Sequence, residues 1–172
     1  MISQIVRYLV SLFALLLVQI FVLNQIEFAG YIRPYLYVLF LLLLPIEIRG
    51  WLMLVIGFAL GLIMDTFTQT PGMNTSACLV LVFSRQYLLK LIAPREGYET
   101  GQLPRPEFFG WKWFLIYSSI LVGIHHIWLF YAEVFHFKYF FSTLFRAIFS
   151  TVFTEVLVLL TVLFFYNSSK AK

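Results

Sequence analysis

Apolar residues follow one another along this chain in six long runs, separated by short stretches that hold most of the charges and prolines. A helix needs about 20 predominantly apolar residues to cross the hydrocarbon core of a membrane. The runs are therefore predicted to be membrane-spanning helices. Their predicted bounds are Tyr8–Ile26, Tyr31–Ile46, Trp51–Thr70, Thr75–Leu91, Trp113–Ala132 and Phe140–Tyr166.

The only substantial polar connection runs from Ala93 to Lys112 and contains prolines, glycines and charges of both signs. That composition predicts a loop. Since the chain has no other long polar run, residues 1–172 are predicted to form a single polytopic membrane domain, with loop 93–112 on the cytoplasmic side.

Composition supports the membrane class. Apolar residues make up 62% of the chain and charged residues 12%, whereas a soluble domain averages about 25% charged. The single cysteine, Cys78, excludes an internal disulfide. The net charge of +4 is small and scattered, which argues against a nucleic-acid partner.

The distribution of Lys and Arg predicts the orientation, because cytoplasmic loops are enriched in them. If the N-terminus is cytoplasmic, that side receives nine of the 12 basic residues: Arg7, Arg49, Arg85, Lys90, Arg95, Arg105, Lys112, Lys170 and Lys172. The other side receives Arg33 and Lys138. Both termini are therefore predicted to be cytoplasmic. The aromatic residues near the proposed boundaries are Trp51, Trp111, Trp113, Tyr31, Tyr35 and Tyr139.

The third run carries the most informative pattern, in which Gly57, Gly61 and Asp65 are spaced four apart. At 100° per residue these three lie on one face of a helix. Small residues at this spacing allow a neighbouring helix to approach closely, either within the bundle or from a partner. The helix is predicted to end at Pro71-Gly72. Asp65 either has an interior partner or binds backbone N–H groups of the outer loop; the alternative is an interfacial acid that faces water.

Two further charges interrupt the last run. Arg146 and Glu155 are half a turn out of phase, so they cannot pair with each other along one helix. Arg146 is close enough to the outer end to snorkel to the interface, or it pairs with another helix or with a partner subunit. Glu155 lies near the middle of its run, where an interior hydrogen-bonded or ion-paired role is expected.

No pattern typical of catalysis or cofactor binding is found. His125 and His136 return to nearly the same helical face, but His136 falls in a loop and no H-E-x-x-H pattern is present. We expect the histidines to be hydrogen-bonded or to lie at the membrane interface. The chain also lacks a G-x-S-x-G nucleophile motif, a phosphate loop and a dinucleotide fingerprint. We therefore expect no enzyme activity, no metal and no cofactor.

With these residues in view, the chain resembles the bacterial rod shape-determining protein MreD family. The resemblance lies in Pro45, then GFALGLIMD with Gly57, Gly61 and Asp65, then the turn at Gly72 and the small residues that follow it. It implies an all-α integral membrane protein, a bundle of six transmembrane helices similar to the substrate-binding subunits of energy-coupling-factor transporters.

The resemblance further implies a non-enzymatic scaffold of the cell-elongation machinery in the bacterial cytoplasmic (inner) membrane. Its implied partners are an MreC-like periplasmic membrane-anchored protein and, in a larger complex, an MreB-like filament and the wall synthases. Such a complex maintains rod shape by organising lateral peptidoglycan synthesis. The alternative function is a small-molecule-binding membrane subunit of a vitamin-type transporter, which would need a pocket of convergent polar groups.

Overall fold

The computed structural model describes residues 2–26, 32–134 and 140–170, and within these ranges the regular elements are helices. They are α1 (Ile2–Phe21), the short 3-10 helix η1 (Leu23–Gln25), α2 (Val38–Leu43), α3 (Gly50–Thr68), α4 (Met73–Leu91), α5 (Pro106–Phe109), α6 (Trp111–Val134) and α7 (Phe140–Lys170). The predicted all-α class is confirmed for this part of the chain. Outside it lie Tyr31, His136, Lys138, Tyr139 and Lys172, on which parts of the sequence interpretation depend.

Within the described ranges, four helical stretches are long and apolar enough to cross a membrane, which makes the chain a multi-pass membrane protein. They are Tyr8–Gln25, Gly50–Thr68, Trp111–Val134 and Phe140–Phe164, and each matches a predicted run to within a few residues. Helix α4 has 19 residues, as α3 does, but it is more polar and is not among these four.

The second predicted helix, Tyr31–Ile46, is wrong as a continuous helix, because only Val38–Leu43 is α-helical. Leu44 ends α2 with an extended conformation, at φ −62° and ψ 148°. It precedes Pro45, and the residue before a proline is disfavoured in the helical region. Residues 34–42 are nevertheless all buried, so this apolar segment runs through the interior of the bundle.

Side chains from α1 and α7 bind the non-helical backbone that leads into α2. From α7, Ser150 Oγ accepts from the Arg33 N–H at 3.2 Å and Thr154 Oγ1 accepts from the Tyr35 N–H at 3.1 Å. From α1, the Gln19 side chain accepts from the Tyr37 N–H at 3.3 Å through Oε1 and donates to the Pro34 carbonyl at 2.9 Å through Nε2. Non-helical backbone at membrane depth is tolerated only where such partners exist, because lipid provides none.

Arg85 of α4 binds the other end of the same segment. Its Nη2 group donates to the carbonyl oxygens of Leu44 and Pro45. Its Nε group donates to the hydroxyl of Tyr117 at 2.7 Å, and that hydroxyl donates to the Leu42 carbonyl at 3.0 Å. Arg85 is only 1% exposed. Arg85 is counted above among the basic residues of the cytoplasmic side, but its charge lies inside the bundle, where it binds carbonyl groups that α2 leaves unpaired.

The helices are ordered around α4, which lies between α3 and α6, while α7 packs on the other side of α6. Helix α1 lies at the edge, where its main contacts are with η1 and α2. Tyr35, predicted near an interface, is buried in the core instead. The largest fully buried apolar side chains include Tyr37, Phe114, Tyr117 and Phe130.

The bundle has two distinct ends. At the end called here the loop end, residues 93–110 connect α4 to α6. There Tyr98 donates to the Leu89 carbonyl at 2.7 Å, and burial raises the pKa of its phenol to about 12, so it remains a donor. Trp113 Nε1 donates to the Ile92 carbonyl at 3.0 Å.

The opposite end, called here the Asp65 end, is where α1, α3 and α6 finish and where α4 and α7 begin. The segment 34–46 starts there, since Pro34 is bound by Gln19 near the end of α1. It finishes at the loop end, where the Ile46 N–H donates to the Gln102 carbonyl at 3.5 Å. The segment therefore passes through the whole bundle although only six of its residues form α2.

Candidate functional site

The two glycines of the motif lie against α4 of the same chain. A Cβ atom at Gly61 would lie 2.8 Å from the Thr75 nitrogen and 2.9 Å from the Asn74 carbonyl oxygen. These are backbone atoms and cannot rotate away. A Cβ at Gly57 would lie 3.1 Å from Cγ1 of Val82. Because α4 occupies this face, it is used inside the bundle and is not left open to a helix of another protein.

Asp65, one turn after Gly61, accepts five hydrogen bonds although it lies in an apolar helix. Its Oδ1 atom accepts from Thr70 Oγ1 at 3.0 Å and from the backbone and side-chain nitrogens of Asn74 at 2.9 and 3.1 Å. Its Oδ2 atom accepts from the backbone nitrogen of Thr75 at 3.0 Å and from its hydroxyl at 2.6 Å. The side chain is only 6% exposed, which excludes the alternative of an acid facing water.

These bonds replace the N-cap that α4 lacks. The first helical N–H groups have no partner in the helix itself, and an N-cap side chain normally accepts from the second or third. The N-cap position of α4 is Gly72, which has no side chain. Asp65 supplies the acceptor from the preceding helix instead, and its negative charge is favourable beside a helix N-terminus.

A glycine is needed at position 72 because of its backbone conformation, and not because a larger side chain would clash with a neighbour. Its φ angle is 81°, in the left-handed region that residues with a Cβ rarely adopt. Apart from its two chain neighbours, no atom of the described residues lies within 4 Å of the position a Cβ would take. Gln69 ends α3 with φ 55°, also left-handed. Two left-handed residues three positions apart therefore reverse the chain so that α4 returns along α3.

Asn74 carries the polar network from Asp65 into the centre of the bundle. Besides Asp65 Oδ1, its Nδ2 group lies 3.1 and 2.8 Å from the hydroxyl oxygens of Thr68 and Thr70, so its two protons are shared among three acceptors. Its Oδ1 atom accepts from the Tyr37 hydroxyl at 3.1 Å, and that hydroxyl oxygen lies 3.0 Å from Nε2 of His125. Since the single phenolic proton is used on Asn74, His125 donates from Nε2. Its Nδ1 atom is buried without a partner among the described residues.

His126 takes part in a second, separate set of bonds. Its Nδ1 atom lies 2.8 Å from the Val122 carbonyl, which can only accept, so Nδ1 carries the proton. Its Nε2 atom then accepts from the Thr154 hydroxyl at 3.2 Å. The described residues contain no group of three His, Cys, Asp or Glu side chains placed to hold a metal ion, and His136 lies outside them.

Arg146 of α7 is paired within the chain. Its Nη1 atom lies 3.2 Å from Oε2 of Glu133 on α6, and its guanidinium carbon lies 4.4 Å from the centre of the Phe130 ring. Arg146 therefore joins α6 to α7 at the Asp65 end and does not snorkel alone. A guanidinium over an aromatic ring adds an attractive interaction to the ion pair.

Glu155 lies in the interior between α7 and α6, where its Oε1 atom is 2.5 Å from Ser118 Oγ. The same hydroxyl oxygen is 2.7 Å from the Phe114 carbonyl. The single Ser118 proton therefore has two acceptors, the Phe114 carbonyl and the Glu155 carboxyl group. The Oε2 atom of Glu155 is buried and has no hydrogen-bond partner in the described part of the chain.

A cavity of about 270 Å³ opens at the Asp65 end, between η1, the residues before α2, and the ends of α3, α4 and α6. Apolar side chains such as Phe67 and Leu129 form part of its wall. The polar residues around it include Asn24, Gln25, Arg33, Thr68, Asn74 and Glu133. It thus joins the polar network of Asp65 to the surface of the bundle.

The sequence interpretation missed Asn74, Tyr37 and Arg85, three residues that hold the bundle together. Asn74 had a usable signal, because an Asn two residues after Gly72 falls at the start of a helix, where its side chain can bind local backbone and side chains. Tyr37 and Arg85 had none, since their partners lie on elements distant in sequence.

The chain matches no protein-family model, no curated protein sequence and no solved structure.

Proposed function

We propose that the chain is a non-enzymatic membrane scaffold of the bacterial cell-elongation machinery, similar to MreD. In this proposal it lies in the cytoplasmic (inner) membrane and associates with an MreC-like periplasmic membrane-anchored protein. Through that complex it acts with an MreB-like filament and the wall synthases that insert lateral peptidoglycan.

The observation that carries the proposal is that the motif residues form one structural unit. Gly61 brings α4 into contact with α3, Gly72 reverses the backbone, and Asp65 binds the N–H groups at the start of α4. The order and spacing of these residues, on which the resemblance depends, are thus explained by one structural feature, the close packing of α4 against α3. This supports the resemblance more strongly than a chance set of common membrane residues would.

Six crossings, with both termini in the cytoplasm, are part of the same proposal. The four apolar stretches supply four of them, and α4 together with the segment 34–46 supply the other two. This even number agrees with the six crossings that the resemblance implies.

The mechanism is assembly through packing. Helices in a bilayer associate by close contact and interior hydrogen bonds, because lipid is as apolar as the helix surface. Here Asp65 and Arg85 bind the chain's own backbone, while Arg146 pairs with Glu133. The surface offered to partners is accordingly apolar, with exposed side chains such as Phe58 and Phe149.

Depletion of the protein in its native cell tests the proposal. We expect rod-shaped cells to become round and lateral wall insertion, followed with a fluorescent wall precursor, to fall. A tagged copy should restore both and should co-purify with an MreC-like membrane protein. Normal shape and normal lateral insertion after complete depletion would contradict the scaffold function.

The cavity at the Asp65 end favours one second candidate, a small-molecule-binding membrane subunit of a transporter. Such a subunit should co-purify with an ATP-hydrolysing transport module, and its loss should abolish uptake of one nutrient without rounding the cells. The same depletion strain therefore separates the two functions.

A further inference from the structure

Glu155 lies near the middle of the apolar stretch Phe140–Phe164 and is only 7% exposed. A carboxylate at this depth is costly unless a positive charge or several hydrogen-bond donors accompany it. Asp65 meets this requirement with five hydrogen bonds. Glu155 has no comparable set of donors, so its surroundings leave the acid only partly compensated.

The oxygen atoms around Glu155 outnumber the protons available to them. Ser118 Oγ lies 2.5 Å from Glu155 Oε1 and 2.7 Å from the Phe114 carbonyl oxygen, so two acceptors share one hydroxyl proton. The second carboxyl oxygen, Oε2, is buried and has no hydrogen-bond partner among the described residues. The nearby hydroxyl of Ser119 forms no bond with Oε2 either. This group of oxygens therefore lacks one positive charge.

No basic side chain in the described part of the chain supplies that charge. Arg146, the other charged residue of the same apolar stretch, pairs with Glu133 at 3.2 Å, and Arg85 binds carbonyl groups at the end of α2. Helix α6 is the main packing partner of α7. The titratable side chains of α6 and of the segment before α2 have partners of their own: His126 with Val122 and Thr154, His125 with Tyr37, Tyr117 with Arg85 and Leu42, and Tyr35 with Arg33.

We propose that Glu155 binds a monovalent cation inside the membrane, either a proton or a sodium ion. Oε2 is not accessible from the surface, which excludes a ligand of several atoms. A proton on the carboxyl group would give each contact of Ser118 a proton of its own. A sodium ion would meet carboxylate, hydroxyl and carbonyl oxygens, the ligands that hard cations prefer. The inference depends on the surroundings of Glu155 alone, so it holds whether or not the scaffold function does.

Infrared spectroscopy of the full chain in lipid nanodiscs tests the inference, because the C=O stretch of a protonated carboxyl group is separate from that of a carboxylate. In sodium-free buffer at neutral pH, with choline chloride as the salt, we expect a protonated-carboxyl band that Glu155→Gln removes. Loss of the band when sodium chloride replaces choline chloride identifies sodium as the ligand, whereas an unchanged band identifies the proton. Absence of the band in sodium-free buffer would overturn the proposal, because the carboxylate would then be charged and unaccompanied.

Glu99→Gln is the matched control, since Glu99 is an exposed acid in the loop and its loss should leave the band unchanged. If Glu155→Gln fails to fold, Ser118→Ala provides the result, because removing the hydroxyl that contacts the carboxyl group should shift the band. A band that neither Glu155→Gln nor Ser118→Ala alters would belong to another acid and would also overturn the proposal.

Labelling with dicyclohexylcarbodiimide adds a measurement that needs no variant. The reagent adds to a protonated carboxyl group in an apolar environment and no group leaves, so mass spectrometry finds the whole reagent on the modified peptide. We expect the Glu155 peptide to be labelled several-fold more than the Glu99 peptide in choline chloride, with protection by sodium chloride if sodium is the ligand. Equal labelling of the two peptides would contradict the proposal.

Discussion

At the scale of single residues, Asp65 shows how an acid is held in an apolar helix. Its two oxygens accept five hydrogen bonds, two of them from backbone N–H groups that would otherwise be unpaired. The sequence could predict the helical face of Asp65 and the possibility of backbone partners. It could not predict the partners themselves, because Thr70 reaches Asp65 only after the left-handed residue Gln69. Asn74 and Thr75 reach it only after the left-handed turn at Gly72.

We expect Asp65→Asn to lower the free energy of unfolding by about 1–3 kcal/mol, because one oxygen becomes an NH₂ group facing a buried backbone N–H. Unfolding in detergent, followed by circular dichroism as sodium dodecyl sulfate is added, measures the change. Glu107→Gln is the matched control, since Glu107 is exposed on the short helix α5 and its change should stay within about 0.5 kcal/mol. Equal stability of the two variants would show that the five bonds contribute little.

Arg85 shows where residue-level prediction fails. Counting Lys and Arg at the ends of apolar runs treats each as a surface charge, and Arg85 lies in the last turns of its run. Its real position follows from α2, whose final carbonyl groups require a donor inside the bundle. No pattern in the sequence near Arg85 indicates that these carbonyl groups require a donor.

At the scale of elements, the pair α3–α4 was predictable and the segment containing α2 was not. The four-residue spacing of Gly57 and Gly61 correctly indicates a close helix contact, because both glycines of α3 pack against α4. In contrast, the run around α2 is as apolar as a spanning helix, so hydropathy cannot distinguish them. The difference comes from Pro34 and Pro45, and from side chains on other helices that replace the missing hydrogen bonds.

Gly61→Ala tests the helix contact, and Gly123→Ala in α6 is its matched control. A Cβ at Gly61 meets the backbone of α4, whereas one at Gly123 has its nearest neighbour, Thr151 Cγ2, at 3.9 Å. We expect Gly61→Ala to destabilise the protein by about 1–3 kcal/mol through overpacking. Gly123→Ala should be neutral or slightly stabilising, because alanine favours the helix.

The same unfolding assay measures both variants. If Gly61→Ala were as stable as Gly123→Ala, the two helices could separate without cost, and the closeness of α3 and α4 would not depend on the glycine.

At the scale of the whole molecule, the bundle is predictable in class and only partly in detail. The four long apolar helices agree with the sequence to within a few residues, since length and hydropathy decide them. The interior polar network does not follow from any local pattern. It joins Asp65, Asn74, Tyr37 and His125 across α3, α4, α6 and the segment before α2, so it depends on how the helices are arranged.

The arrangement predicts that both termini lie on the same side of the membrane. Reporter proteins fused to each end measure this directly, with a fluorescent protein active in the cytoplasm and alkaline phosphatase active only outside it. We expect fluorescence and no phosphatase activity from both fusions. Phosphatase activity from one end alone would mean an odd number of crossings and would contradict the six-crossing proposal.

The segment before α2 also has a consequence for biosynthesis. The Arg33 and Tyr35 N–H groups bind Ser150 and Thr154, which follow them by 117 and 119 residues. When this segment leaves the ribosome, the side chains that complete it have not yet been made. Crosslinking of nascent chains stopped before α7 should therefore find residues 33–37 still beside the insertion machinery, and the last helix to be synthesised releases them into the protein.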